Sequence, residues 1–190
     1  MNIFQFDALI HPDFLLRERM YQNMHPTQVE LHNRWGKRFQ EIADDPTTAL
    51  LYYSSYNKLE FDGQTIPKNK ILFPLEKKRI ELLNELLGDR FINFNSGDFP
   101  YKPLLMRIFE QRGFLFTPAE TTLRVYGEIY EACVNLNENS WGAELKKALG
   151  IPESNYHPDP ELSLIHPQVL TIESWQASKE GGGIPIEKGL

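Results

Sequence analysis

The chain has 190 residues, 41% of them hydrophobic and 24% charged, which is enough for one sizeable core and cramped for two. A net charge of −6 and a pI near 5.4 argue against a nucleic-acid partner, whose binder must neutralise phosphates. No stretch approaches the ~20 apolar residues that cross a bilayer, and Met1–Asp7 lacks the basic-then-apolar order of a signal peptide. With a single cysteine, which cannot form an internal disulfide, the expectation is a cytoplasmic protein with no membrane partner.

Asn2–Ile10 is an apolar run broken by Asp7 and ended by His11-Pro12, a first strand. A short helical or irregular piece, Phe14–Tyr21, leads to His25-Pro26. Thr27 with Glu30 forms a capping-box pattern that opens a helix to about Ala43, with Leu31, Trp35, Phe39 and Ile42 on one face. Asp44-Asp45-Pro46 ends it. Ala49–Tyr56 is a second strand, and Asn57–Asn69 an excursion turning at Asp62-Gly63. Pro74 suits the first turn of a helix that carries Leu75, Ile80, Leu83 and Leu87 and stops at Gly88. Arg90–Phe94 is a third strand, and Ser96-Gly97-Asp98 turns the chain into a helix over Pro103–Arg112, closed by Gly113. Leu123–Tyr126 is a fourth strand. A helix follows either around Cys133 or over Ser140–Leu149, closed by Gly150. Ile151–Pro160 reads as a proline-rich loop and Glu161–Ile165 as a fifth strand.

This alternation predicts an α/β, three-layer Rossmann-like fold with a mostly parallel sheet of about five strands and helices on both faces. One domain over 1–178 and a glycine-rich tail over 179–190 are expected, the tail mobile or docked on a partner in a homo-oligomer. Ligands of such sheets bind beyond the carboxyl ends of the strands. That edge gathers Asp7–Phe14, Ser54–Asn57, Asn95–Phe99, Gly127–Cys133 and His166–Gln168.

On that edge the apolar run Leu123–Tyr126 ends in Gly127-Glu-Ile-Tyr-Glu-Ala-Cys133-Val134. A thiol where a strand gives way to a helix is well placed for a nucleophile, because a helix N-terminus favours thiolate. The segment resembles the glycine-to-cysteine stretch of isochorismatase-like cysteine hydrolases, with the same spacing and with Glu131 two residues before the cysteine. Phe4-Gln-Phe-Asp7 followed by Asp13-Phe14, and Phe99 followed by Leu104-Leu105, are further similarities. Asp7 and Asp13 stand six residues apart where the family has four, Glu128 replaces a small apolar residue, and no lysine stands at the family's catalytic place.

The resemblance implies a hydrolase of a small amide or related substrate, in active or impaired form. Asp7 would take the thiol proton, Cys133 would form a thioester, and backbone N–H groups near Ala132 and Cys133 would hold the oxyanion. Arg90 would stand in for the lysine. Asp13, Phe14, Tyr56, Glu128 and Tyr130 would line the substrate. The competing reading makes Cys133 a small buried hydrophobe.

A second resemblance points elsewhere. Leu123-Arg-Val-Tyr-Gly-Glu128 before a helix is similar to a motif of sensory α/β domains beside bacterial regulators. It implies a non-catalytic small-molecule ligand domain, with Arg124 and Glu128 structural or ligand-contacting. Four of the five histidines, His11, His25, His157 and His166, precede proline, which favours extended backbone at each. His11 and His166 with Asp13 would suit a divalent metal only if the edge gathers them; the spacing itself reads as turn punctuation, so no metal is expected. No cofactor is expected either, since neither Gly-x-x-x-x-Gly-Lys nor Gly-x-Gly-x-x-Gly occurs.

Overall fold

The strand β2 (Thr48–Ser54) is buried at all seven of its positions, so neither of its faces can meet water. Only a sheet covered by helices on both sides accommodates such a run. The computed structural model describes residues 1–12, 26–54, 58–61, 64–67, 72–95, 102–127, 134 and 140–163.

Five strands form one all-parallel sheet: β1 (Gln5–Ile10), β2, β5 (Phe91–Asn95), β6 (Thr122–Gly127) and β7 (Tyr156–Pro158). Their spatial order is β5-β2-β1-β6-β7. Between β2 and β5 in sequence, β3 (Lys58–Phe61) and β4 (Gln64–Pro67) pair antiparallel, Phe61 opposite Gln64. The helices are α1 (Pro26–Asp44), α2 (Leu72–Leu87), α3 (Lys102–Gln111) and α4 (Trp141–Leu149).

Two apolar clusters show which helix covers which face. Trp35 and Ile42 of α1 and Leu83 and Leu87 of α2 pack on Leu9, Leu50, Tyr52, Phe91 and Tyr126. Leu105 and Phe109 of α3 and Leu145 and Leu149 of α4 pack on Phe6, Ala8, Leu51, Phe94 and Val125 of the opposite face. The chain therefore winds outward from β1 through β2 to β5 on one side. It then crosses back to β6 and β7 on the other, and its direction reverses between β1 and β6. The aromatic content goes into this core, with Phe6 stacked on Phe109 at 5.0 Å and Trp35 set edge-on to Tyr126 at 5.0 Å.

The three-layer α/β expectation holds, with local corrections. The fifth strand is Tyr156–Pro158, inside the stretch read as a loop, whereas 161–163 form a turn. Pro158 cannot donate to a ladder, and a proline in a short run reads as punctuation. β7 is the sheet's outer strand, where a missing N–H is tolerated. Of the two helix alternatives after β6, Ser140–Leu149 is realised. The Ser140 side chain accepts from the Ala143 N–H at 3.2 Å, and Gly150 closes the helix at φ +71°. Residues 128–133, which carry the other alternative, lie outside the described residues. His11 also departs from expectation: before Pro12 it adopts φ +51° instead of extended backbone. Its N–H donates to the Tyr53 carbonyl at 2.9 Å and its ring meets Trp141 edge-on at 5.2 Å. That packing outweighs the local preference. Among the described residues no helix is long and apolar enough to cross a membrane.

Candidate functional site

Side chains of a strand alternate between its faces, so Gln5, Asp7 and Leu9 all point from β1 toward the α1 side. Asp7 is fully buried there, in mid-strand instead of at the carboxyl end. From α1, Arg38 donates through Nε to Oδ2 at 2.7 Å and through Nη2 to Oδ1 at 2.9 Å. The Tyr126 hydroxyl donates to Oδ2 at 2.8 Å and the Gln5 amide to Oδ1 at 2.6 Å. Four donors fill the roughly four lone-pair positions of a carboxylate. Arg38, 13% exposed, also pairs with Glu41 at 2.7 Å.

The electrostatics follow from this geometry. Burial penalises the Arg38 charge, but the hydrogen bonds and charge of Asp7 outweigh it and raise the guanidinium above its ordinary value. Burial, followed by the Asp7 charge, pushes the Tyr126 phenol well above its usual range, so it stays a protonated donor.

The cation beside Asp7 is thus Arg38, which corrects the expectation for Arg90. Arg90 instead closes the end of α1. Its Nη1 donates to the carbonyls of Ile42 and Asp45 at 2.6 Å each and of Thr48 at 2.9 Å, and its Nη2 to that of Ala43 at 2.9 Å. The last carbonyls of a helix have no partner within it, and a guanidinium has donors enough for several. Asp45 completes the joint: its carboxylate accepts from the Thr47 N–H, the Thr47 hydroxyl and the Thr48 hydroxyl.

Of the other residues expected at the strand edge, Cys133, Asp13, Phe14, Tyr56, Glu128, Tyr130 and His166 lie outside the described residues. Within the described residues no group of three or more His, Cys, Asp or Glu side chains is arranged to hold a metal ion.

A different place offers room. On the α1 side of the sheet, an open recess of about 450 Å³ lies over the β6–β7 border, lined by Gln5, Thr122, Arg124, His157 and the 158–161 turn. Arg124 and His157 are direct neighbours across the parallel ladder. The outer wall is firmly built. Asp159 Oδ1 accepts from the N–H groups of Glu161 and Leu162, and the Ser163 hydroxyl donates to the Asp159 carbonyl at 2.6 Å. The Trp35 indole of α1 donates to the Leu162 carbonyl at 2.8 Å, and the Asp159 N–H to that of Val125 at 2.9 Å.

Within this recess Arg124 stands apart. Its Nε–H is buried without an acceptor, and among the described residues the side chain makes no hydrogen bond or ion pair. Buried donors are nearly always satisfied, and an arginine that is not has exchanged water for nothing. The volume falls within the range of small-ligand sites.

Sequence reasoning reached Arg124 only through the sensory-domain motif and passed over Arg38. A signal existed. Arg38 stands three residues after Trp35 and four before Ile42, so it shares their buried stripe. A charge on an inward face requires a buried partner. Comparisons with protein-family models, with curated proteins and with solved structures give no match for the chain.

Proposed function

We propose that this protein is a non-catalytic small-molecule-binding α/β domain whose site is the recess over β6 and β7, with Arg124 as its charged anchor. One observation carries the reading: Arg124, whose Nε–H is buried without an acceptor, lines an open recess of about 450 Å³. A carboxylate or similar anion in the recess gives the guanidinium a counter-charge, and guanidinium geometry suits a carboxylate for two parallel hydrogen bonds. The rigid 158–161 turn keeps the wall in place before a ligand arrives, which lowers the cost of binding. Cysteine-hydrolase chemistry finds less support, because Arg38, Tyr126 and Gln5 already occupy the Asp7 oxygens that would have to accept a thiol proton.

Acetate, the smallest carboxylate probe, tests the site. Titration of 15N-labelled protein at fixed ionic strength is expected to give saturable shifts of the Thr122, Arg124 and His157 amides. Arg124→Gln abolishes them while the rest of the spectrum stays native. Shifts that are absent, or that persist unchanged in the variant, overturn the reading.

A further inference from the structure

The recess is not uniformly basic. Beside Arg124 and His157 it is lined by Asp159 and Glu161. Asp159 spends one carboxylate oxygen on its own turn. Glu161 is exposed, and its carboxylate makes no ion pair among the described residues. Nor does Arg124 pair with either acid, although all three line one space. Side chains of opposite charge therefore line one recess without pairing.

Such a site penalises a simple polyanion. Phosphate held by the guanidinium would share the recess with two carboxylates, and like charges at close range cost affinity. A molecule with an anionic and a cationic end satisfies both.

We infer that the recess takes a small zwitterion of the amino-acid class, its carboxylate on Arg124 and its ammonium on Glu161 and Asp159. This rests on the proposed binding function and names its ligand class.

The test compares acetate, inorganic phosphate, methylammonium and the common free amino acids on wild-type protein, Arg124→Gln and Glu161→Gln, by ligand-observed saturation-transfer NMR and titration. At least one amino acid is expected to bind roughly tenfold or more tightly than acetate. Arg124→Gln removes that binding, and Glu161→Gln weakens it several-fold while strengthening acetate and phosphate. Glu161 is exposed, so its variant reads out the charge pattern even where Arg124→Gln fails to fold. If acetate or phosphate binds through Arg124 and no amino acid exceeds them, the zwitterion inference falls and the binding function stands. Should no probe depend on Arg124, both fall.

Discussion

Arg38 clasps Asp7 with two hydrogen bonds of 2.7 and 2.9 Å across 31 residues of sequence, fastening α1 to the middle of the sheet. The carboxylate is fully buried and the guanidinium nearly so. Removing the Asp7 charge leaves Arg38, among the described residues, only the exposed Glu41 as an ionic partner, and leaves Tyr126 and Gln5 a weaker acceptor. Asp7→Asn is therefore expected to cost about 3–5 kcal/mol of stability. The double variant Asp7→Leu, Arg38→Met recovers part of the loss, because no charge is then stranded, although Tyr126 and Gln5 still lack their acceptor. Urea unfolding of the three proteins measures both effects. A double variant no more stable than Asp7→Asn would contradict a coupled pair.

The same saturation of Asp7 bears on Cys133. If Asp7 does not act as a base, iodoacetamide labels Cys133 at the rate of an ordinary or protected thiol. Substituting Glu for Asp7 would then leave that rate unchanged wherever the variant stays folded. Fast stoichiometric labelling near neutral pH that slows in the variant would restore the hydrolase reading.

Arg90 distributes four hydrogen bonds over carbonyls of α1 and the start of β2. Three of the four come from Nη1 alone, but a lysine has no second nitrogen for the Ala43 carbonyl that Nη2 reaches. Arg90→Lys is expected to lose about 2 kcal/mol, on the scale of hydrogen bonds from a charged donor. Acetate binding at Arg124 stays unaltered in the folded variant. A melting temperature equal to wild type would show that water replaces the clasp without loss.

Asp45, at the same joint, gives a pH signature. Burial opposes its ionisation, but the Thr48 and Thr47 hydroxyls, the Thr47 N–H and the Arg90 charge together hold its carboxyl below its ordinary value of 3.8. A carboxyl with a depressed native pKa binds its proton more readily in the unfolded chain. Its contribution is thus complete above the ordinary carboxylate range and is lost as pH falls below about 3.8 toward the native value. Asp45→Asn should flatten that acid limb of the stability curve and lower stability near neutrality. An unchanged limb would mean that other carboxyls govern it.

Gly142 in α4 sits where backbone meets backbone. A Cβ there would lie 2.6 Å from the Val134 carbonyl oxygen and closer still to the Tyr156 hydroxyl, which itself donates to that carbonyl at 2.7 Å. Gly142→Ala must displace one of them, at about 1–3 kcal/mol as overpacking usually costs. Thermal unfolding reads it, and a neutral result would place the helix farther from β7 than the structure has it.

Much of the scaffold was legible because its signals are local. The continuous apolar run of β2 announces a strand covered on both faces, and Ser140 with Gly150 bounds α4 by capping chemistry alone. β7 escaped notice because it has only three residues, ends in proline and is defined by its pairing with β6, a contact that no local pattern encodes. The site was harder for the same reason. Whether Asp7 serves a thiol or a guanidinium depends on which helix crosses over it, and the unsatisfied state of Arg124 is a property of space left empty. Arg38 was the recoverable part, since its place on a buried stripe already demanded an opposite charge.

The turn that walls the recess is tied to α1 through Trp35, to β6 through Val125 and Gly127, and to itself through Asp159 and Ser163. Prying it open would therefore disturb amide protection in α1 and β6 together. Occupancy of the recess should slow deuterium uptake in that helix as well as in the sheet, so a molecule lodged over the sheet's far border would be felt across the layer boundary.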